Sequence, residues 1–62
     1  MTDEEEEARR RKLIRDAAGS NALSVPEQSF LLAQADLLEA GAAISDEARK
    51  TVRLLVGKAA SP

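Results

Sequence analysis

The most regular apolar pattern in the chain lies between Ser24 and Gly41. Ser24 and Glu27 have the spacing of a capping box, in which each side chain accepts a hydrogen bond from the backbone N–H of the other residue. Pro26 falls in the first turn, where its missing N–H costs nothing. Gly41 can adopt the left-handed conformation that closes a helix. The stretch therefore predicts a helix over residues 25–40.

At about 100° per residue, the large side chains of this helix gather on one broad face. Gln34 falls in the middle of that face, and two interpretations are open: its amide lies in water at the rim of a small core, or it is buried and fixes the register against a partner. Leu32 points to the opposite side, where Ala35 would join it in any second contact patch. The predicted apolar face consists of Phe30, Leu31, Ala33, Leu37, Leu38 and Ala40.

A first helix is predicted over residues 2–18, with Thr2 or Asp3 as its cap and Gly19 as its stop. Its acidic side chains precede its basic ones, which is the order that the helix dipole favours. The first two turns have nothing apolar to bury. The apolar stripe of its second half is made by Leu13, Ile14, Ala17 and Ala18.

A third helix is predicted over residues 46–56, where Ser45 acts as the N-cap. Gly57 is expected to end it, which leaves residues 57–62 as a loose tail. The predicted fold class is thus all-α, with three short helices joined by tight turns in a single domain, residues 1–62. The two faces of the third helix consist of apolar Ala48, Val52, Leu55 and Val56 and of basic Arg49, Lys50 and Arg53.

Composition narrows the classes of function. The chain has 62 residues with no Cys and no His, so disulfides, thiolate metal sites and the usual general base are excluded. Domains this small commonly depend on oligomerisation or a partner for stability. No apolar run approaches the roughly 20 residues of a membrane span, and no signal-peptide pattern opens the chain. We therefore expect a soluble cytoplasmic protein that does not insert into a membrane.

Catalysis is not predicted. Without His or Cys, a nucleophile would have to be a Ser, Thr, Lys or carboxylate that a neighbour activates. The serines are explained as turn and cap residues, and the carboxylates show no paired spacing within the apolar region. A chain of this size also has little room for a concave pocket. We expect a protein that is not an enzyme and that holds no cofactor and no metal.

The charges are segregated, although the net charge is only −2. An acidic block over residues 3–7 precedes a basic cluster of Arg9, Arg10, Arg11 and Lys12. Such a cluster can bind phosphates, so a nucleic-acid-binding regulator remains an alternative. The acidic block one turn earlier and the lack of aromatic residues for base stacking argue against it.

Residues 9–48 resemble the small antitoxins of the VbhA type, which silence Fic-domain AMP-transferase toxins. The run reads RRRKLIRDAAGSNALSVPEQSFLLAQADLLEAGAAISDEA. As in that family, a basic helix leads through a Ser-bearing turn into a second helix, and a Gly-containing turn opens a third at Ile44, Ser45 and Glu47. The resemblance implies a three-helix inhibitor whose partner is a toxin or another enzyme.

In the antitoxin family, a Ser/Thr-x-x-x-Glu-Gly motif lets the Glu pair with an arginine of the toxin's ATP site, which blocks productive binding of the γ-phosphate. Ser20 matches the Ser of that motif and Leu23 the apolar position before the Glu. Ser24 and Val25 stand in the Glu and Gly positions. Because a hydroxyl does not replace a carboxylate in a charge-assisted pair with arginine, the inhibitory Glu-Gly is not matched here.

These observations predict a small non-catalytic protein-binding module, an inhibitor or antitoxin-like partner of a larger protein. A self-associating helical assembly protein that forms a homo-oligomer is the alternative, and the nucleic-acid regulator is a second one. Arg9 to Lys12 would contribute electrostatically to partner binding. The residues expected to contact a partner are Leu13, Ile14, Ser20, Leu23, Ser24, Val25, Gln34 and Leu38.

Overall fold

The computed structural model describes residues 3–60, which form three α-helices and no β-strand. Helix α1 spans Asp3–Ala18, α2 spans Val25–Glu39 and α3 spans Asp46–Ala60. The all-α class and the number of helices predicted from the sequence are confirmed for this part of the chain. Thr2, one of the two predicted caps of α1, lies outside the described residues, as do residues 61 and 62 of the predicted tail.

The start of α2 is the predicted capping box. The hydroxyl of Ser24 accepts a hydrogen bond from the N–H of Glu27 at 3.4 Å, and the Glu27 carboxylate accepts one from the N–H of Ser24 at 2.8 Å. Pro26 lies in the first turn, as expected. Two backbone donors that a helix start leaves without partners are thereby satisfied, so the start of α2 is fixed by residues within one turn.

The end of α2 is also fixed locally. The helix ends at Glu39, one residue earlier than predicted, and Gly41 follows with a φ of 82°. The N–H of Gly41 donates to the carbonyl of Leu38 at 3.0 Å, and the N–H of Ala42 donates to the carbonyl of Leu37 at 2.9 Å. These two bonds are those of a Schellman motif, which confirms the role expected of Gly41.

The predicted end of α3 is wrong. Ser45 does cap the helix, because its hydroxyl accepts the N–H of Ala48 at 3.1 Å. The helix nevertheless continues through Gly57 to Ala60, so residues 57–60 are not a loose tail. A glycine inside a helix costs about 0.5–1 kcal/mol relative to alanine. Ala59, two residues further on, packs against the core, and this burial favours the extra turn over an end at Gly57.

The core lies where the three helices meet and is small. Ile14 of α1 is 1% exposed and Leu31 of α2 is 0% exposed, and these are the largest fully buried side chains. In the predicted stripe of α1, Leu13 departs from expectation because 54% of it is exposed. Each helix contacts the other two, and the α1–α2 pairing is the most extensive. The complete set of buried apolar residues is Ile14, Ala17, Ala18, Leu23, Leu31, Ala35, Val52 and Leu55.

The face that α2 buries is rotated relative to the prediction. Ala35, which was placed on the outer side with Leu32, is fully buried beside Leu31. Leu37, which was placed on the inner face, is 44% exposed, and Ala33 and Ala40 are exposed as well. Apolar side chains surround most of α2, so its own sequence pattern does not fix its rotation. The packing partners fix it instead.

Gln34 lies half-buried at the edge of this face. Within residues 3–60, no buried side-chain nitrogen or oxygen lacks a hydrogen-bond partner. This placement agrees with the first of the two interpretations, an amide at the rim of a small core. Burial of the amide against a partner, the second interpretation, stays a prediction.

The turn between α1 and α2 is fixed by one buried side chain and by hydrogen bonds that side chains make to its backbone. Leu23 is buried in the core, and the side-chain amide of Gln28 donates to the carbonyl of Ser20 at 2.8 Å. The Ser20 hydroxyl also accepts the N–H of Ala22 at 3.1 Å. Gly19 follows the last residue of α1 as predicted, but among residues 3–60 Gly41 is the glycine with a positive φ. The α1–α2 turn is thus closed by side chains rather than by a left-handed residue.

Replacement of Leu31 by Ala tests the burial of this side chain in the core. We expect the free energy of unfolding to fall by about 2–5 kcal/mol, because the substitution leaves a cavity in the core. A core of this size supplies only about 3–5 kcal/mol, so Leu31→Ala should leave the chain largely unfolded. The adjacent Leu32→Ala should cost less than about 1 kcal/mol, because that side chain already lies partly in water. Helical content by circular dichroism, without and with urea, measures both; equal losses would contradict the burial of Leu31.

Two glycine-to-alanine substitutions should act in opposite directions. A Cβ at Gly41 or at Gly57 would meet no atom within 4 Å, so only the backbone conformation differs between the two sites. Gly57→Ala should stabilise the chain by about 0.5–1 kcal/mol, since it removes a glycine from inside α3. Gly41→Ala should destabilise it by about 1 kcal/mol or more, because alanine is strained at positive φ. Thermal melts measure both, and a destabilising Gly57→Ala would contradict the helix through residue 60.

Candidate functional site

A groove opens to solvent between α1 and α3 and encloses a volume of about 270 Å³. We call it the α1–α3 groove. Its floor is apolar, and guanidinium groups from both helices stand around it. The residues that line it are Arg10, Leu13, Ile14, Ile44, Arg49, Val52, Arg53 and Val56.

Helical spacing explains how the lining is assembled. On α1, Arg10 precedes Leu13 and Ile14 by three and four residues, so the three side chains share one side of the helix. On α3, Val52 and Val56 lie one turn apart, as do Arg49 and Arg53 beside them. Ile14 and Val52 also belong to the core, so the floor of the groove continues directly into the packed interior.

Three arginines and no carboxylate belong to the groove lining. Within residues 3–60, the ion pairs of the structure do not engage Arg10, Arg49 or Arg53. Guanidinium groups carry several N–H donors in a planar fork that matches a carboxylate or a phosphate. The groove therefore combines apolar surface with cationic groups that have no anionic partner among the described residues.

Two cations outside the groove, Arg15 and Lys58, link the helices, whereas the other Lys and Arg side chains within residues 3–60 make none of these ion pairs. Arg15 of α1 pairs with Asp36 at 3.1 Å and also with Glu39. Lys58 of α3 donates to both carboxylate oxygens of Glu27, at 3.1 and 3.2 Å. All three carboxylates of α2 are thus paired with a neighbouring helix. Each of these exposed pairs adds little stability, and together they link α2 to α1 on one side and to α3 on the other.

The surroundings of Glu27 lower the pKa of its carboxyl group below the ordinary value. The hydrogen bond from the Ser24 backbone N–H is the main cause, followed by the ammonium group of Lys58 and the Ser24 hydroxyl. The pKa of Arg15 is raised by its hydrogen bonds to Asp36 and then to Glu39. Both shifts favour the charged forms of Arg15 and Glu27, which the ion pairs between the helices require.

Two of the residues predicted to contact a partner are core residues. Ile14 is almost completely buried, although it forms part of the groove floor, and Leu23 is buried under the α1–α2 turn. Both side chains belong to the core of the described fold, and their contact with a partner stays a prediction. Ser24 is exposed, but its hydroxyl already accepts the N–H of Glu27 in the capping box.

The remaining predicted contact residues are scattered. Leu13 lines the groove, whereas Val25, which is 73% exposed, lies at the start of α2 outside it. Ser20 is half-buried in the α1–α2 turn, and Gln34 and Leu38 are half-buried on α2. The structure therefore does not bring the predicted residues together into one surface.

The basic cluster of α1 is likewise divided. Arg10 lines the α1–α3 groove, while Arg9 and Lys12 are exposed outside its lining and Arg11 is half-buried. A continuous basic stripe of four residues does not form, because consecutive residues point in directions about 100° apart on a helix.

Sequence analysis missed the α3 side of the groove. Arg49 and Arg53 were placed on the basic face of the third helix, and Val52 and Val56 on a separate apolar face. A signal was present, because each arginine precedes one of these valines by three residues and so flanks the same apolar stripe. Ile44, in the connection before α3, carried no such signal.

The groove lining contains no residue that can act as a nucleophile or a general base at neutral pH. Across residues 3–60, no group of three or more acidic, His or Cys side chains is placed to hold a metal ion. None of the helices formed by the described residues has the length and apolar character to cross a bilayer. What the groove offers is apolar contact and guanidinium N–H donors.

Comparison of the chain with models of protein families, with curated proteins and with solved structures gives no match.

Glu27 makes the stability of α2 depend on pH. Its pKa is lowered on folding, so its stabilising contribution is present above the ordinary pKa of 4.5 and is lost as the pH falls through the lowered value. Glu27→Gln keeps the capping box but removes the charge. We expect the melting temperature of the variant to lie below that of the parent at about pH 7, and the difference to close by about pH 3. Thermal melts of both proteins across this pH range measure the difference in melting temperature. A difference that does not change with pH would contradict the lowered pKa of Glu27.

Proposed function

We propose that this chain is a small non-catalytic module that binds another protein through the α1–α3 groove. One observation supports the proposal above the others: three arginines from two helices surround an apolar floor and lack an anionic partner within residues 3–60. Arginine is enriched in protein interfaces, where its charged fork and long aliphatic stem contribute together. Of the cations outside the groove, Arg15 and Lys58 are used in ion pairs within the fold, and the position of the groove arginines around an apolar floor distinguishes them from the rest.

More specifically, we propose that the chain inhibits a larger protein in the cytoplasm, as the resemblance to antitoxins implies. The residues do not favour the inhibitory pair of that family, because Ser24 stands in the Glu position and its hydroxyl caps α2. We therefore expect inhibition by occupation of a surface on the partner. Insertion of a carboxylate into a nucleotide site is not expected.

A second candidate is self-association into a homo-oligomer, and a separate observation favours it. Among residues 3–60, only Ile14 and Leu31 are large side chains that are fully buried, while Val25, Leu32, Leu37 and Leu54 remain exposed. A domain with so small a core commonly gains stability from further burial in an oligomer. This candidate uses the outer surfaces of α2 and α3 and leaves the groove arginines without a function.

Site-specific photo-crosslinking separates the candidates. A benzophenone amino acid replaces Leu13, which is exposed within the groove, or Leu54, which is 74% exposed outside the groove lining. We expect crosslinks in the native cell from position 13 to one distinct protein, and none to that protein from position 54. The crosslink should be lost when Arg49→Glu and Arg53→Glu are added to the position-13 variant. Denaturing gels and mass spectrometry identify the products.

The other outcomes count against the proposal. A product of twice the 6.6 kDa chain mass, together with a melting temperature that rises with protein concentration, would favour self-association. A product that nuclease treatment removes would favour nucleic-acid binding. Identical products from positions 13 and 54 would mean that the groove has no special role.

A further inference from the structure

We propose that the occupant of the α1–α3 groove is an amphipathic helix of the partner that carries carboxylates one turn apart beside its apolar stripe. This inference rests on the proposed protein-binding function and specifies the partner's chemistry. It follows from the shape of the groove, from the spacing of its arginines and from the acids of this chain.

The shape of the groove favours a helix over a small molecule. Two helices form its sides, and Val52 and Val56 make an apolar row along α3 that Leu13 faces from α1. A third helix laid along such a pair buries its own stripe in the same way as α2 does elsewhere in this fold. The volume of about 270 Å³ lies below the range of typical small-molecule sites and suits a few inserted aliphatic side chains.

The spacing of the charges favours carboxylates on that helix. Arg49 and Arg53 are four residues apart on α3, so their backbone positions are separated by about 6 Å along the helix axis. Asp or Glu residues four apart on a docked helix repeat at the same interval. Arg10 extends the positive rim to the α1 side of the groove. An acidic helix therefore meets cations on both edges of its apolar stripe.

A second copy of this chain does not supply such a helix. Its most acidic segment, residues 3–7, contains no apolar side chain that could fill the floor. The acids of α2 are paired with Arg15 and Lys58. Nucleic acid would pair with the arginines but would leave the apolar floor empty, and the lining offers no aromatic ring for base stacking.

The test uses three fluorescently labelled helical peptides and the full-length chain. The first has a leucine stripe flanked by glutamates four residues apart; the second has lysine at each glutamate position; the third has the composition of the first in scrambled order. Fluorescence anisotropy at low and moderate salt gives the affinities. We expect the acidic amphipathic peptide to bind at least about tenfold more tightly than either control, with affinity that weakens as salt is added.

Two matched variants locate the binding site. Arg49→Glu with Arg53→Glu reverses two charges in the groove, whereas Lys12→Glu with Lys50→Glu reverses two exposed charges outside the lining. The groove variant should lose at least about tenfold in affinity for the acidic peptide, and the control variant about twofold or less. The groove variant should also gain affinity for the lysine peptide. A variant that had merely unfolded would not show this gain, and circular dichroism checks the helical content of both.

Several results would overturn this inference. Equal binding of the acidic and scrambled peptides would remove the requirement for an amphipathic helix, and equal losses in the two variants would move the site away from the groove. Displacement of the acidic peptide by equimolar duplex DNA would favour nucleic acid as the occupant. If position 13 crosslinks to a protein while the acidic peptide fails to bind, the protein-binding function stands and only the partner chemistry is wrong.

Discussion

The burial of Ile14 and Leu31 is the constraint on which the rest of this structure depends. They are the largest side chains that the fold removes completely from water, and the alanines beside them let the helices approach closely. A core this small covers only the second half of α1, so the first half extends past it with nothing apolar to bury. The α1–α3 groove lies next to this point, where α3 still presents Val52 and Val56.

Ion pairs supplement the apolar packing of α2. Since α2 has apolar side chains around most of its circumference, its rotation is fixed by the residues that it packs against in the core. The carboxylates at Asp36 and Glu39 meet Arg15 on one side, and Glu27 meets Lys58 on the other. The three groove arginines make none of these pairs. Their position around an apolar floor is the main argument for the proposed binding function.

The features that sequence analysis predicted correctly are local. The capping box of Ser24 and Glu27, the left-handed Gly41 and the Ser45 cap each depend on residues within about one turn, so spacing alone identifies them. The features that it missed depend on distant contacts. The burial of Ala35 requires α1, the continuation of α3 past Gly57 requires the core contact of Ala59, and the groove exists only where α1 and α3 lie side by side. Periodicity within one helix carries none of this information.

The order of the helices along the chain has a consequence for synthesis. The most extensive pairing joins α1 and α2, which are neighbours in sequence, so this hairpin has mostly local contacts and can form quickly as the chain emerges. The groove, in contrast, takes two of its three arginines from α3, which follows the hairpin in the sequence. A nascent chain can therefore form the α1–α2 hairpin before the groove is complete. Formation of the hairpin and formation of the groove are thus separated in time during synthesis.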